Sequence, residues 1–114
     1  MLLNYLFVVV YLDGRGEVLS TYETSQDSDV MVKTDFSIIL KKAVMLDAKG
    51  LVIAHNHDNV FPTPSIEDKV LTEKLSSLCN TLGIYLCEHI IFSHGMPPSY
   101  MSKLKSLKSG TLIF

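Results

Sequence analysis

The sequence predicts an α/β fold, a mixed sheet with helices packed against it, and two observations carry that prediction. Runs rich in β-branched and aromatic residues alternate with stretches whose apolar residues recur at helical spacing. The order along the chain is strand, strand, helix, strand, helix, strand, which is the pattern of a layered α/β domain. Because both helices join strands, some strand pairs are expected to be parallel.

The first element is the run Met1 to Leu12, which contains Phe7-Val-Val-Val-Tyr11 and reads as a buried strand. Asp13-Gly-Arg-Gly16 is hairpin chemistry, so Glu17 to Thr24 should return as an antiparallel strand. Asp35 can cap a helix whose Phe36, Ile39, Leu40, Ala43 and Val44 share one side and which should end near Lys49-Gly50. Leu51-Val-Ile-Ala54 is short and apolar, a central strand that leads into His55. Residues 58 to 64 hold Asn59, Pro62 and Pro64 and read as a loop; Ser65-Ile-Glu-Asp68 then has the composition of a helix start. Leu71, Leu75, Leu78 and Leu82 mark one face of that helix, with Gly83 as its C-terminal cap. Ile84 to Phe92 is a strand interrupted by Glu88 and His89, and a last strand is expected at Thr111 to Phe114.

At 114 residues the chain is read as a single domain, and 47% hydrophobic against 19% charged residues is enough for a core. The net charge of -2 gives no general pull toward phosphate backbones, so direct nucleic-acid binding is not expected. Charge is uneven: residues 1 to 68 carry five bases and ten acids, and residues 69 to 114 five bases and two acids. The acidic part can attract a cation. Cys79 and Cys87 form neither a metal pair nor a disulfide framework, which fits a reducing cytoplasm. The apolar opening lacks the basic start and cleavage site of a leader and is too short for a span, so no membrane association is expected.

The concentrated chemical signal is His55-Asn-His57, seven intervening residues, then Ser65-x-x-Asp68. Residues two apart on a strand project to one face, so both imidazoles can meet one metal ion while Asn56 points away. Asp68, in the first helical turn, can supply a third ligand. Three nitrogen or oxygen ligands with a position left to water is the pattern of catalytic zinc, whereas structural zinc closes with four protein ligands, often thiolates. Water activated in this way still needs a carboxylate to take its proton, and Glu23 and Glu17 are the candidates. Ser65 can donate to the oxyanion that forms when water attacks a carbonyl, or can serve only as the helix cap.

This spacing resembles the JAMM signature of the JAB/MPN metalloprotease superfamily: a distant Glu, His-x-His, seven residues, Ser-x-x-Asp. The RadC-like branch is the closer likeness. Its apolar strand, Pro-Ser-x-x-Asp helix start, Leu-Gly-Ile junction and Asp-His-Ile-Ile strand have counterparts here. These are Leu51-Val-Ile-Ala-His-Asn-His57, Pro64-Ser-Ile-Glu-Asp68, Leu82-Gly-Ile84 and Glu88-His-Ile-Ile91. The likeness runs from about residue 7 to 102. It implies a curved mixed β-sheet flanked by helices, with cytidine-deaminase-like layering. It also implies zinc held by His55, His57 and Asp68, with Ser65 assisting the oxyanion and Glu23 as the general base. The reaction class implied is hydrolysis of an amide or isopeptide bond in a protein or peptide substrate.

Three departures bear on activity. Asp58-Asn-Val60 stands where the family usually has Pro-Ser-Gly, Glu88 replaces the usual Asp, and an ungapped count back from His55 puts the family glutamate at Tyr22, one position before Glu23. A one-residue slip on a strand reverses the face, so Glu23 can serve only if a bulge restores its direction. RadC-like proteins commonly carry an N-terminal helix-hairpin-helix region, which residues 1 to 114 do not contain, so the DNA-repair association of the family is expected to act through partners.

The competing functions are a JAB/MPN interaction module that keeps the fold without the base, and a DNA-repair-associated protein acting through partners. Simpler roles compete residue by residue as well. Glu23 can be a solvated strand residue and Glu17 hairpin surface, while Glu88 and His89, in an apolar strand, need partners or the open end of the sheet, in a structural role or in support of the metal ligands. His94 reads as a loop residue, Lys103, Lys105 and Lys108 as a solvated face, and Cys79 as core.

Overall fold

The computed structural model describes residues 5–26, 35–56, 64–93 and 95–101. The elements are β1 (Tyr5–Leu12), β2 (Val18–Gln26), α1 (Phe36–Met45), β3 (Gly50–Asn56), α2 (Ile66–Thr81), β4 (Tyr85–Phe92) and β5 (Ser99–Tyr100). The strands form one sheet in the order β2-β1-β3-β4-β5. β1 runs antiparallel to both β2 and β3, β3 and β4 are parallel, and β5 is antiparallel to β4, so the sheet is mixed. The α/β architecture is the one read from the sequence.

The hairpin forms because Asp13 takes over the backbone donors of the turn. Its Oδ1 accepts from Arg15 N at 2.8 Å and Glu17 N at 2.9 Å. Gly16, at φ 81°, then adopts a conformation closed to most other residues. In α1, Asp35 caps as expected, its carboxylate accepting from Ser37 N at 2.9 Å. The helix ends at Met45, short of Lys49-Gly50, because Asp47 turns left-handed at φ 53° and Ala48 N donates back to Ala43 O at 2.9 Å. Val44 is exposed instead of sharing the buried side with Ile39 and Ala43.

Phe7, Val9 and Tyr11 of β1 and Leu51 and Ile53 of β3 are buried in one cluster with Ile39 and Ala43 of α1 and Leu71, Leu75 and Cys79 of α2. Both described helices therefore cover the same face of the sheet. Tyr11 ties the layers together by donating its hydroxyl to Ile39 O at 2.9 Å. Burial pushes this phenol up to about 12, with Tyr22 and then Cys79 as smaller contributors.

The buried side of α2 differs from the leucine stripe read in the sequence. Asp68, Leu71, Thr72, Leu75, Ser76 and Cys79 face the sheet, whereas Leu78 and Leu82 are exposed. The helix is turned so that Asp68 and Thr72 reach hydrogen-bonding partners on β3 and β4, and the stripe at Leu78 and Leu82 swings outward. Gly83, at φ 72°, ends the helix as expected. The two-residue β5 was not anticipated, and the strand expected at Thr111 to Phe114 lies outside the described residues. So do His94, Lys103, Lys105 and Lys108. Among the described residues no helix is long and apolar enough to cross a membrane.

Candidate metal centre

β3 carries His55 to the end of the sheet on the same face as Ile53 and Leu51, where it is 2% exposed. Its cross-strand neighbour on β1 is Phe7. α2 starts beside it, and its first turn is fixed by a capping box: Ser65 Oγ accepts from Asp68 N at 3.1 Å, and Asp68 Oδ2 accepts from Ser65 N at 2.8 Å. One oxygen of the Asp68 carboxylate is thus held by the cap. The other, Oδ1, lies 3.0 Å from His55 Nε2, with both side chains almost fully buried. The same capping box leaves the Ser65 O–H proton available for donation, because Oγ acts there as an acceptor.

Two residues outside the expected ligand and catalytic set complete the arrangement. His89, on β4, is fully buried with Nε2 2.8 Å from His55 Nδ1 and Nδ1 2.5 Å from Thr72 Oγ1. Thr72, one turn beyond Asp68 on α2, donates its hydroxyl to Asp68 O at 2.7 Å. The network therefore runs from Asp68 through His55, His89 and Thr72 back to Asp68. The position of His89 depends on a bulge. Leu51 pairs with Leu86 but Val52 pairs with Glu88, so Cys87 is an extra residue that shifts the alternation and turns His89 toward the buried face. Glu88 Oε1 accepts from His89 N at 3.0 Å. The sequence signal for His89 was its charge-bearing ring inside an apolar strand; its partner could not be named without the strand register.

The predicted ligands are brought together in part. His55 and Asp68 meet, while His57 lies outside the described residues. Among the described residues no group of three His, Cys, Asp or Glu side chains is arranged to hold a metal ion. The donor set nevertheless suits zinc, since a ring nitrogen and a carboxylate oxygen face each other at 3.0 Å where a proton or a cation can join them.

Glu23 is not brought to this site. β2 pairs with β1 in unbroken register from Tyr5↔Gln26 to Tyr11↔Ser20, and the irregularity lies beyond, between Tyr11 and Leu12. Glu23 thus faces Val8, which pairs with Ala54, on the side of the sheet opposite His55. No bulge restores its direction. Tyr22 pairs with Val9 on the His55 side and packs against the core. Glu17 is exposed in the hairpin.

The chain is similar in sequence to known bacterial proteins. A UPF0758 protein of Aquifex aeolicus is 51% identical over 88 residues, 77% of this chain and 38% of that protein. A UPF0758 protein of Coprothermobacter proteolyticus is 33% identical over 85 residues, 75% of this chain and 36% of the relative. One from Photorhabdus laumondii is 28% identical over 86 residues, again 75% of this chain and 37% of the relative. The chain thus spans less than two fifths of the length of these relatives. Residues 4–106 match the RadC-like JAB domain, and the chain belongs to that family.

Proposed function

We propose that this domain is a zinc-dependent metallohydrolase of the peptidase or isopeptidase class, with His55, His57 and Asp68 as the residues that hold the ion. The observation that carries the reading is the buried approach of His55 Nε2 to Asp68 Oδ1 at 3.0 Å, in a chain of the RadC-like JAB family. Bound zinc supplies Lewis acidity and lowers the pKa of a water molecule to roughly 7. The capping box holds the Asp68 carboxylate so that one oxygen remains directed at His55. Ser65 then has a hydroxyl proton to offer the carbonyl oxygen as negative charge builds there.

A second reading has its own observation. Glu23 faces away from His55, and the β2 residues on the His55 face include Tyr22 and Thr24, neither of them a carboxylate. A domain built this way can bind the ion and a protein or peptide partner without turning it over. Elemental analysis of protein purified without chelators or a histidine tag, compared with His57→Ala, tests the metal reading. About one zinc per chain, lost in the variant, is the expected result. A peptide and isopeptide screen on the zinc-loaded protein then separates the two readings.

A further inference from the structure

We propose that His89 is a positioning residue of the metal centre, acting with Thr72 to keep the ring proton of His55 on Nδ1 so that Nε2 is presented as a lone pair to the ion. The proposal rests on the reading of His55 as a ligand. The direction of the hydrogen-bond chain is set at one end, where the carbonyl oxygen of Asp68 can only accept. The Thr72 hydroxyl therefore spends its proton there, over 2.7 Å. Toward His89 the same oxygen acts as an acceptor, so the His89 proton sits on Nδ1, 2.5 Å away. A neutral imidazole protonated on Nδ1 carries a lone pair on Nε2, and that lone pair receives the N–H of His55 Nδ1 over 2.8 Å. The Nδ1 proton of His55 is thereby committed, and Nε2 is the nitrogen that faces Asp68 Oδ1, where a proton in the metal-free protein, or the ion that displaces it, joins the two.

The arrangement removes an ambiguity that an isolated histidine would have. Its two neutral tautomers are close in energy, and in one of them an N–H points where the ion must sit. A metal-binding histidine gains affinity when its second nitrogen is held, commonly by a carboxylate or carbonyl. Here the holder is another histidine, itself oriented by a threonine on the helix that supplies Asp68. The β4 bulge at Cys87, which turns His89 inward, gives the sheet its part in the device.

The test uses nitrogen NMR of histidine-labelled, metal-free protein together with zinc affinity from chelator competition, for wild type, His89→Phe, His89→Gln and Thr72→Val. Expected in the wild type are protonated Nδ1 atoms on both His55 and His89, with an unprotonated His89 Nε2. Zinc affinity should fall about 10- to 100-fold in His89→Phe, and His55 should then show a mixture of tautomers. His89→Gln, whose amide oxygen can accept from His55 Nδ1, should recover much of both. If His89→Phe does not fold, the volume-conserving Thr72→Val carries the same expectation through the His89 signals.

An unprotonated His55 Nδ1 in the wild type would overturn the proposal. So would wild-type zinc affinity and an unchanged His55 spectrum in folded His89→Phe and Thr72→Val. Wild-type protein that shows the expected tautomers but takes up no zinc upholds the control of His55 by His89 and removes the metal reading alone.

Discussion

The sulfur of Cys87 lies 2.9 Å from where a β-carbon on Gly50 would stand. Gly50 opens β3 beside Tyr85, and Cys87 is the extra residue of the β4 bulge, so the glycine provides the room in which the bulge forms. This is a steric requirement, because Gly50 is absent from the positions of positive φ.

Gly50→Ala is expected to destabilise the domain by about 1 kcal/mol, since the added β-carbon meets the exposed Cys87 thiol, which must turn aside. Cys87→Ala removes the obstructing sulfur, so the double variant should regain most of the loss in a urea-unfolding cycle. Equal destabilisation with and without the sulfur would show that Cys87 is not the obstacle. Because His89 follows the bulge by two residues, the single variant should also disturb the His55 ring signals more than the double variant does.

Asp68 has two tasks that a conservative substitution can separate. In Asp68→Asn the amide oxygen can still accept from Ser65 N while its N–H₂ donates to His55 Nε2, so stability should stay within about 1 kcal/mol of wild type. Asp68→Ala loses both contacts and should cost about 1–3 kcal/mol, from the cap and from a buried ring nitrogen deprived of its partner. Both variants should lose zinc. Unfolding midpoints alongside metal content decide the matter: Asp68→Asn that keeps zinc would show the carboxylate is a cap alone.

How much of this was legible beforehand follows from the range over which each interaction acts. Asp35, Ser65 and Gly83 were read correctly as helix boundaries because capping chemistry is local and is written in neighbouring residues. His55 and Asp68 were paired from a spacing that combines a strand end with a helix start, and they meet. The facing of α2 was misjudged at Leu78 and Leu82 because hydrophobicity alone ranks leucine above aspartate and threonine. The helix instead turns toward His55 and His89, 34 residues apart in the chain. The His89 contact depends on parallel pairing and on a one-residue bulge, neither of which leaves a mark in hydrophobic periodicity.

Alkaline pH should weaken the fold through two buried acids. Burial first, and Cys87 second, pushes the Cys79 thiol from 9.0 up to about 11, and Tyr11 rises from 10.0 to about 12. Each group is neutral when protonated and has a folded value above its unfolded one. Its contribution is therefore complete below the unfolded value and is lost as pH rises through the folded value. Urea-unfolding free energies should be level below pH 9.0 and fall between there and about 12. Cys79→Ala should flatten the earlier part of that fall and Tyr11→Phe the later part. A wild-type profile level across the whole range would contradict the burial of both groups.

The sharpest test of the sheet register is Glu23, the residue that the family resemblance casts as general base. Its partner on β1 is Val8, and Val8 in turn pairs with Ala54, so two consecutive pairings place it across the sheet from His55. Side chains on opposite faces cannot share an ion without a bulge, and the β1–β2 irregularity lies between Tyr11 and Leu12, well away from Glu23. Glu23→Gln is therefore expected to leave zinc affinity unchanged and stability within about 0.5 kcal/mol, as for an exposed strand residue. Tyr22→Phe, on the face that His55 shares, should perturb the histidine signals more than Glu23→Gln does. A peptide-hydrolysis activity of the zinc-loaded protein that vanishes in Glu23→Gln would overturn this face assignment. It would require β2 to shift by one residue against β1, which would carry Tyr22 out of the core.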